Sequence, residues 1–295
     1  MTDFEIRTAT EDYDPQMVAV FREAFPALVI NTGSLAHSRA TVGGYGALIA
    51  FRDGEAVGVG TTGYPAWSAQ REGSISLGVL PDARRAGIGS ALLERLVAHH
   101  RADGGGAMRA AVRNAEFLAW AEKRGWRPGR TSRVSRCELS ELPPAPDVPA
   151  DVRIVPLSEV ADLRAVHTAD ALATSDIPGN PVGPIPFEGW RDFLLTDPRM
   201  DTGLSLVAYI GEDVAAMTYI HRAGERVNSA FTGTHPGHRG RGLATLLKAL
   251  ALHGAAGAGA TVAFTNNDSK NAPMLAVNTR LGYRPFVEMT TVQLD

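Results

Sequence analysis

The residues best suited to chemistry lie together between Thr232 and Leu247, in the stretch Thr-Gly-Thr-His-Pro-Gly-His-Arg-Gly-Arg-Gly-Leu-Ala-Thr-Leu-Leu. A β-prone segment, Val227 to Thr234, leads through Pro236 into a Gly/Arg turn and then an apolar run that can continue only as a helix. Such a turn is suited to holding phosphate. Gly240 and Gly242 let the backbone approach an anion closely, and a helix starting near Leu243 aims unpaired N–H groups and its dipole at the same spot. Arg239 and Arg241 add positive charge.

The same pattern is written twice. Leu77 to Leu92 lies over Thr232 to Leu247 at an offset of 155, placing Pro81 on Pro236, Arg84 on Arg239, Gly87 on Gly242 and Gly89 on Ala244. At an offset of 157, Gly54-Glu-Ala-Val57 meets Gly211-Glu-Asp-Val214, Asn114 meets Asn271, and Gly125-Trp-Arg-Pro128 meets Gly282-Tyr-Arg-Pro285. Ordered matches at a nearly constant offset argue for a duplicated domain rather than a solenoid. Between the copies, Leu142-Pro-Pro-Ala-Pro-Asp-Val-Pro149 can be neither helix interior nor central strand. The expected division is 1–141, a connector over 142–150, and 151–295, although a strand on either side of the connector could still pair between the halves.

Each copy reads as strand, helix, two or three antiparallel strands, then helix, strand, helix, strand. In the first half the elements fall at Phe4–Thr8, Asp14–Ala24, Gly46–Phe51, a strand from Ala56, Ser74–Val79, Gly87–Arg101, Ala107–Val112, Ala115–Arg124 and Thr131–Leu139. The second half repeats the order from Val152 to Leu294. This is an α+β fold with one central mixed, mostly antiparallel sheet per copy. One segment breaks the symmetry: Thr174 to Trp190 carries four prolines and three glycines, too irregular for a helix or strand interior.

The turn Arg239-x-x-Gly242-x-Ala244, set between a strand and a helix, resembles the Q/R-x-x-G-x-G/A pyrophosphate loop of the GNAT acetyltransferases. The helix from Asn271 to Gly282 resembles the same family's N-x-x-A-x-x-L-Y-x-K-x-G-F motif. The resemblance implies a tandem pair of GNAT folds, with acetyl-CoA as co-substrate and an amine as acceptor. It implies donor binding by Thr232 and Thr234 through their backbone and by Arg239, Gly240, Arg241, Gly242, Leu243 and Ala244 at the diphosphate. Asn271 would lie at the pantetheine arm, and Val79, Arg84, Gly87 and Gly89 form the equivalent set in the first half. The second loop keeps two glycines where the first has Arg85 and Gly87. The second half is therefore expected to be the active copy and the first a degenerate one. The irregular segment 174–190 is then a candidate lid over the acceptor.

The family places a tyrosine acid four residues before the glycine that ends this helix. Here the position holds Asn278, and Ala121 in the first half. An amide can donate a hydrogen bond to sulfur but has no proton to give near neutral pH. For the base, the strand before the second loop contains no carboxylate, which leaves Glu225 at its start and His221 on the preceding strand, with His235 beside the loop. The expected reaction is direct acetyl transfer to a primary amine of a small molecule. A non-catalytic acyl-CoA sensor and an enzyme acting on a protein amine are the alternatives.

Composition sets the remaining bounds. Hydrophobic residues make up 44% and charged residues 21% of 295, and no apolar run is long enough to span a membrane, so neither membrane insertion nor a signal segment is expected. Residues 1–145 carry a net charge of +1 and the remainder −4, neither of which suits a nucleic-acid binder. A single cysteine, Cys137, fits a cytoplasmic protein and reads as a packing residue; Trp126 and Tyr283 read as core plugs. No metal-ligand spacing is present, and a homodimer is compatible with the sequence. Lys123, Lys248 and Lys270 are the only lysines among 29 basic residues, a bias ascribed to base composition and given no catalytic meaning.

Overall fold

The computed structural model describes residues 3–175 and 185–295. In chain order the regular elements are β1 (Glu5–Thr8), α1 (Asp14–Ala24), α2 (Thr32–Thr41), β2 (Val42–Arg52), β3 (Glu55–Pro65), β4 (Gly73–Val79), α3 (Ile88–Ala102), β5 (Met108–Val112), α4 (Ala115–Glu122) and β6 (Arg127–Glu138). The second half continues with β7 (Arg153–Pro156), α5 (Leu163–Thr174), α6 (Phe187–Leu195), β8 (Leu206–Ile210), β9 (Asp213–Ala223), β10 (Arg226–Thr234), α7 (Leu243–Gly257), β11 (Val262–Asp268), α8 (Ala272–Arg280) and β12 (Arg284–Leu294).

The chain forms two compact units, Met1–Arg130 with Met289–Asp295, and Thr131–Glu288. Unit 1 has the strand order β1-β2-β3-β4-β5, completed by the end of β12, where Thr290 to Leu294 pair antiparallel with Val112 to Met108. Unit 2 has the order β7-β8-β9-β10-β11, completed by β6, where Ser132 to Glu138 pair antiparallel with Asp268 to Val262. The units therefore do not divide at the proline-rich segment 142–150: each half supplies the last strand of the other unit. The two final strands have the same local pattern and backbone hydrogen bonds carry no sequence label, so a pattern search assigns each strand to its own half.

In unit 2 the sheet alternation sorts its two faces. Val207, Val214, Met217 and Tyr219 pack with Val166 and Ala169 of α5 and with Trp190 and Leu194 of α6. Ile220, Val227 and Ala263 pack on the opposite face with Ala249, Leu252 and Ala255 of α7 and with Leu281 and Tyr283. Unit 1 is built alike, with Met17, Val20 and Phe21 of α1 on one face and Leu93 and Leu96 of α3 on the other.

Two helices were not anticipated. The weakly patterned α2 is set by a capping box, in which Asn31 accepts from the Ser34 N–H at 2.8 Å and the Ser34 hydroxyl accepts from the Asn31 N–H at 3.2 Å. In α6, Phe187, Trp190 and Leu194 recur at helical spacing behind Pro186, a pattern hidden by the prolines before it. The expected irregular segment is thus helical from Phe187; its residues 176–184 lie outside the described residues.

Candidate active site

The two Gly/Arg turns are built alike. Each follows a strand and a single 3-10 turn, and each ends in a left-handed glycine that starts a 15-residue helix, Gly87 (φ 87°) before α3 and Gly242 (φ 77°) before α7. Neither helix start has a side-chain cap, whereas α2, α4, α5 and α8 are closed by Asn31, Asn114, Asp162 and Asn271. The starts of α1 and α6 likewise lack a side-chain cap, and it is the left-handed glycine turn ahead of α3 and α7 that makes their first-turn N–H groups suited to an anion. In both turns the arginine reaches back to the strand: Arg84 Nε donates to the Val79 carbonyl at 3.0 Å, and Arg239 Nε to the Thr234 carbonyl at 3.3 Å.

The turns differ at one residue. Gly240 has φ 77°, and its counterpart Arg85 adopts φ 66°, a conformation that costs an L-residue about 1–2 kcal/mol. A Cβ on Gly240 or Gly242 would meet nothing within 4 Å, so the cradle of the second turn is open. Arg241 pairs with Asp151 at 2.5 Å and remains at the rim of the turn. Leu243 is buried against the sheet, and half-buried Ala244 follows it in the first turn of α7, as Gly89 follows Ile88 in α3.

The strands leading to the turns part from their parallel neighbours. β10 pairs with β11 only from Arg226↔Val262 to Asn228↔Phe264, and β4 pairs with β5 only at Gly73↔Met108 and Ser74↔Arg109. In β10 the ladder with β9 shifts register between Ser229 and Phe231, a bulge that leaves Ala230 exposed. A bulge reverses the alternation beyond it, so Ser229 faces α7 while Phe231 turns to the α5 side. There the Phe231 ring stacks on Tyr219 at 5.5 Å. Thr232 binds the Thr218 hydroxyl at 2.8 Å, and Thr234 ends the strand at the turn.

Beneath the parted strands lies a buried polar cluster. Lys248 of α7, 1% exposed, donates to Asn278 Oδ1 at 2.5 Å and to the Thr265 hydroxyl at 3.3 Å, and its ammonium lies 4.9 Å from the Tyr283 ring centre. Thr265 donates to the Ser229 carbonyl at 3.2 Å, just where the parallel ladder ends. Ser229 and Tyr283 share a hydroxyl hydrogen bond of 3.0 Å, and Asn278 Nδ2 donates to Asn267 Oδ1 at 2.6 Å. Burial pushes the Lys248 ammonium down to about 7. Asn278 is therefore neither a solvated nor a capping amide but a core residue, 2% exposed.

The remaining expected residues fall elsewhere. Asn271 caps α8, its side-chain oxygen accepting from the Met274 N–H at 3.2 Å, and Asn114 does the same for α4. Glu225 sits exposed in the turn before β10, at the end of that strand opposite to the phosphate-type turn. His221 opposes Asn228 across the β9–β10 ladder, and burial with the nearby Arg199 pushes its imidazolium down to about 4. Neither carboxylate nor imidazole joins the polar cluster. Cys137 is buried, with its thiol pushed up to about 11, and Trp126 and Tyr283 are core residues. Among the described residues no helix is long and apolar enough to cross a membrane, and no group of His, Cys, Asp and Glu could hold a metal.

A second group missing from the sequence reading lies on the α5 side of β10. Asp170 of α5 accepts from Tyr219 at 2.9 Å, Thr174 at 3.1 Å and Trp190 Nε1 at 3.2 Å. Burial raises its carboxyl above the ordinary range against those three donors. His167, Phe187, Trp190, Tyr219 and Phe231 form an aromatic wall beside it. A helical carboxylate among hydrophobic residues gives no local signal, because its partners come from α6 and β9.

Parted parallel strands leading into a glycine turn at an uncapped helix, on an α+β scaffold, define an acyltransferase class. The acetyltransferase (GNAT) family model matches residues 6–126. A mycothiol acetyltransferase of Catenulispora acidiphila is 30% identical over 224 residues, 70% of this chain and 67% of that protein. A GCN5-related N-acetyltransferase of Sphaerobacter thermophilus superposes with a TM-score of 0.74 at 18% identity, over 100% of this chain and 96% of that one. A tandem GNAT protein from the clavulanic acid biosynthesis pathway gives 0.74 at 19%, over 99% and 98%. The chain belongs to the GNAT acetyltransferase family and is an acyltransferase with a tandem arrangement of that fold.

Proposed function

We propose that unit 2 is the catalytic unit and transfers an acetyl group from acetyl-CoA directly to a primary amine of a small molecule. The observation that carries this reading is the combination, in unit 2, of an open glycine cradle with a polar cluster at the strand parting. The family uses acetyl-CoA, and the residues present fit it. Gly240, Gly242 and the first N–H groups of α7 would take the diphosphate, with Arg241 at the rim. Arg239 holds the turn to β10, and the backbone of Thr232 and Thr234 would take the pantetheine amides.

Asn278 stands at the position of the family's acid and serves as a hydrogen-bond donor to the sulfur. The acceptor amine would enter on the α5 side, where Phe231, Tyr219 and Trp190 give an apolar wall and Asp170 an anionic centre. Catalysis then rests on holding amine and thioester in line and on electrostatic stabilisation, with no covalent enzyme intermediate. Neither Glu225 nor His221 is assigned the amine proton: the first lies at the wrong end of β10, and the second is too weak a base.

Calorimetry with acetyl-CoA tests the donor site. Gly242→Glu should abolish binding at a single tight site while Gly87→Glu leaves it within about twofold, since a carboxylate in the cradle repels the diphosphate. Undiminished binding in Gly242→Glu overturns the assignment to unit 2. Thiol release from acetyl-CoA across a panel of small amines, including the acceptor of mycothiol acetyltransferases, then identifies the acceptor class.

A further inference from the structure

Lys248 is the buried ionisable group that this reading leaves unused. The residue is 1% exposed, and its ammonium meets Asn278, Thr265 and the Tyr283 ring. Among the described residues no carboxylate pairs with it, and its one other charge interaction is with Cys137. A buried cation without a counter-ion is costly, and natural cores keep such groups where their charge is used. The equivalent site in unit 1 has no such group. At the offsets of 155 and 157 that align the two halves, Leu93 replaces Lys248, Ala121 replaces Asn278 and Trp126 replaces Tyr283, and all three belong to one apolar cluster.

The hydrogen bonds fix a direction. An ammonium can only donate, so the oxygen of the Asn278 amide must face Lys248 and its nitrogen must face the other way. That nitrogen gives one N–H to Asn267, on β11 beyond the last β10–β11 ladder pair, and has a second N–H in the same region. Thr265 ties the lysine to the Ser229 carbonyl at the point where the strands part.

We propose that Lys248 is a positioning residue for the leaving group: it orients the Asn278 amide with its N–H side toward the parted strands and supplies the positive potential that stabilises the departing thiolate. The inference rests on unit 2 being the catalytic unit. In the step concerned, the amine nitrogen forms the C–N bond, the C–S bond breaks, and its electron pair leaves on sulfur as a thiolate. The amine proton passes to water. The thiolate is the counter-charge that the buried lysine otherwise lacks, so the pair is complete only as the leaving group departs. No proton donor is then required at the position of the family's tyrosine.

Binding of CoA and of desulfo-CoA, compared by calorimetry from pH 6 to pH 9, tests this apart from turnover. Cys137, facing from β6, is pushed up to about 11, and burial also raises Tyr283, so in that window neither titrates beside Lys248. In the native protein CoA should bind about tenfold tighter than desulfo-CoA near pH 8, a preference that declines toward pH 6 as the thiol protonates and toward pH 9 as Lys248, itself near 7 in the free protein, loses its proton. Lys248→Met and Asn278→Leu should each bring the two ligands within about twofold while desulfo-CoA affinity stays near the native value, the loss of one charge-assisted contact to sulfur. Turnover by Lys248→Met should lose about tenfold or more in kcat, with KM for acetyl-CoA within about threefold.

Lys248→Arg, which keeps the charge, should retain more of the preference than Lys248→Met. Should Lys248→Met not fold, Asn278→Leu reports on the same contact with the lysine in place. A native preference that is absent, or one unchanged in both variants, overturns the proposal while leaving unit 2 as the catalytic unit. Binding of each ligand by Gly242→Glu as tight as by the native protein instead overturns the assignment of unit 2.

Discussion

The two units share a backbone plan and differ in what lies beneath the strand parting. In unit 1, Leu93, Ala121 and Trp126 close the space with apolar side chains. In unit 2, Lys248, Asn278 and Tyr283 fill it with polar atoms tied to Ser229 and Thr265. The turns are less different: both hold an arginine against the preceding strand, and both open onto an uncapped helix. A duplicated fold can thus keep a phosphate-type turn in both copies, because backbone geometry supplies it. The proposed leaving-group role needs particular side chains in a buried place, and among the described residues only unit 2 has them. The family model matches residues of the first half, which shows that likeness in pattern and possession of this polar cluster are separate properties.

Exchanging the cores is the strongest way to break this comparison. Leu93→Lys places an unpaired ammonium in the apolar cluster of unit 1 and should lower stability by roughly 3–5 kcal/mol. Lys248→Met in unit 2 should change it by no more than about 1–2 kcal/mol in either direction, because removing a buried charge offsets the lost hydrogen bonds. Chemical denaturation measures both, and equal costs would show that the two interiors are not distinct.

A pH series sharpens the same contrast. Lys248 binds its proton less tightly in the folded state, with a value near 7, than in the unfolded chain, where it is near 10.5. Between those values the unfolded state holds more protons, so stability rises with pH across pH 7–10.5 and the gain is lost as pH falls back from 10.5 to 7. Relative to the native protein, Lys248→Met should lack this rise. Parallel pH curves for the two would place the ammonium in water rather than in the core.

The smallest expected effect concerns the one backbone difference between the turns. Gly240→Ala forces a side chain into a left-handed conformation and should cost about 1 kcal/mol. Arg85→Gly relieves the equivalent strain in unit 1 but frees the unfolded chain, and should stay within about 1 kcal/mol of the native protein. Thermal unfolding checks both. A large loss in Arg85→Gly would mean that the Arg85–Glu116 ion pair, exposed on both sides, matters more than surface pairs usually do.

Much of this was written in local pattern. Pro81 and Pro236, the paired glycines and the strand-to-helix change at Gly87 and Gly242 fixed both turns, since each depends on backbone freedom and helix ends that a short window contains. The α+β order followed from periodicity for the same reason. Helix α6 escaped because prolines precede it, and α2 because its capping box introduces only a weak apolar pattern. The second-half residues expected to bind the donor came from the turn, the strand before it and the helix motif at Asn271; Asp170 and Lys248 did not come from any motif.

By itself the sequence determined that there are two copies of one fold, that each carries a glycine turn at a helix start, and that the helix position of the family's acid holds Asn278. Tertiary structure decided which strands complete which unit, because main-chain pairing is indifferent to the half that supplies the sixth strand. It also decided the meaning of Lys248. A lysine on α7 reads as a solvated side chain until β10, β11 and α8 close around it, and only that closure turns a surface charge into a buried one set behind Asn278.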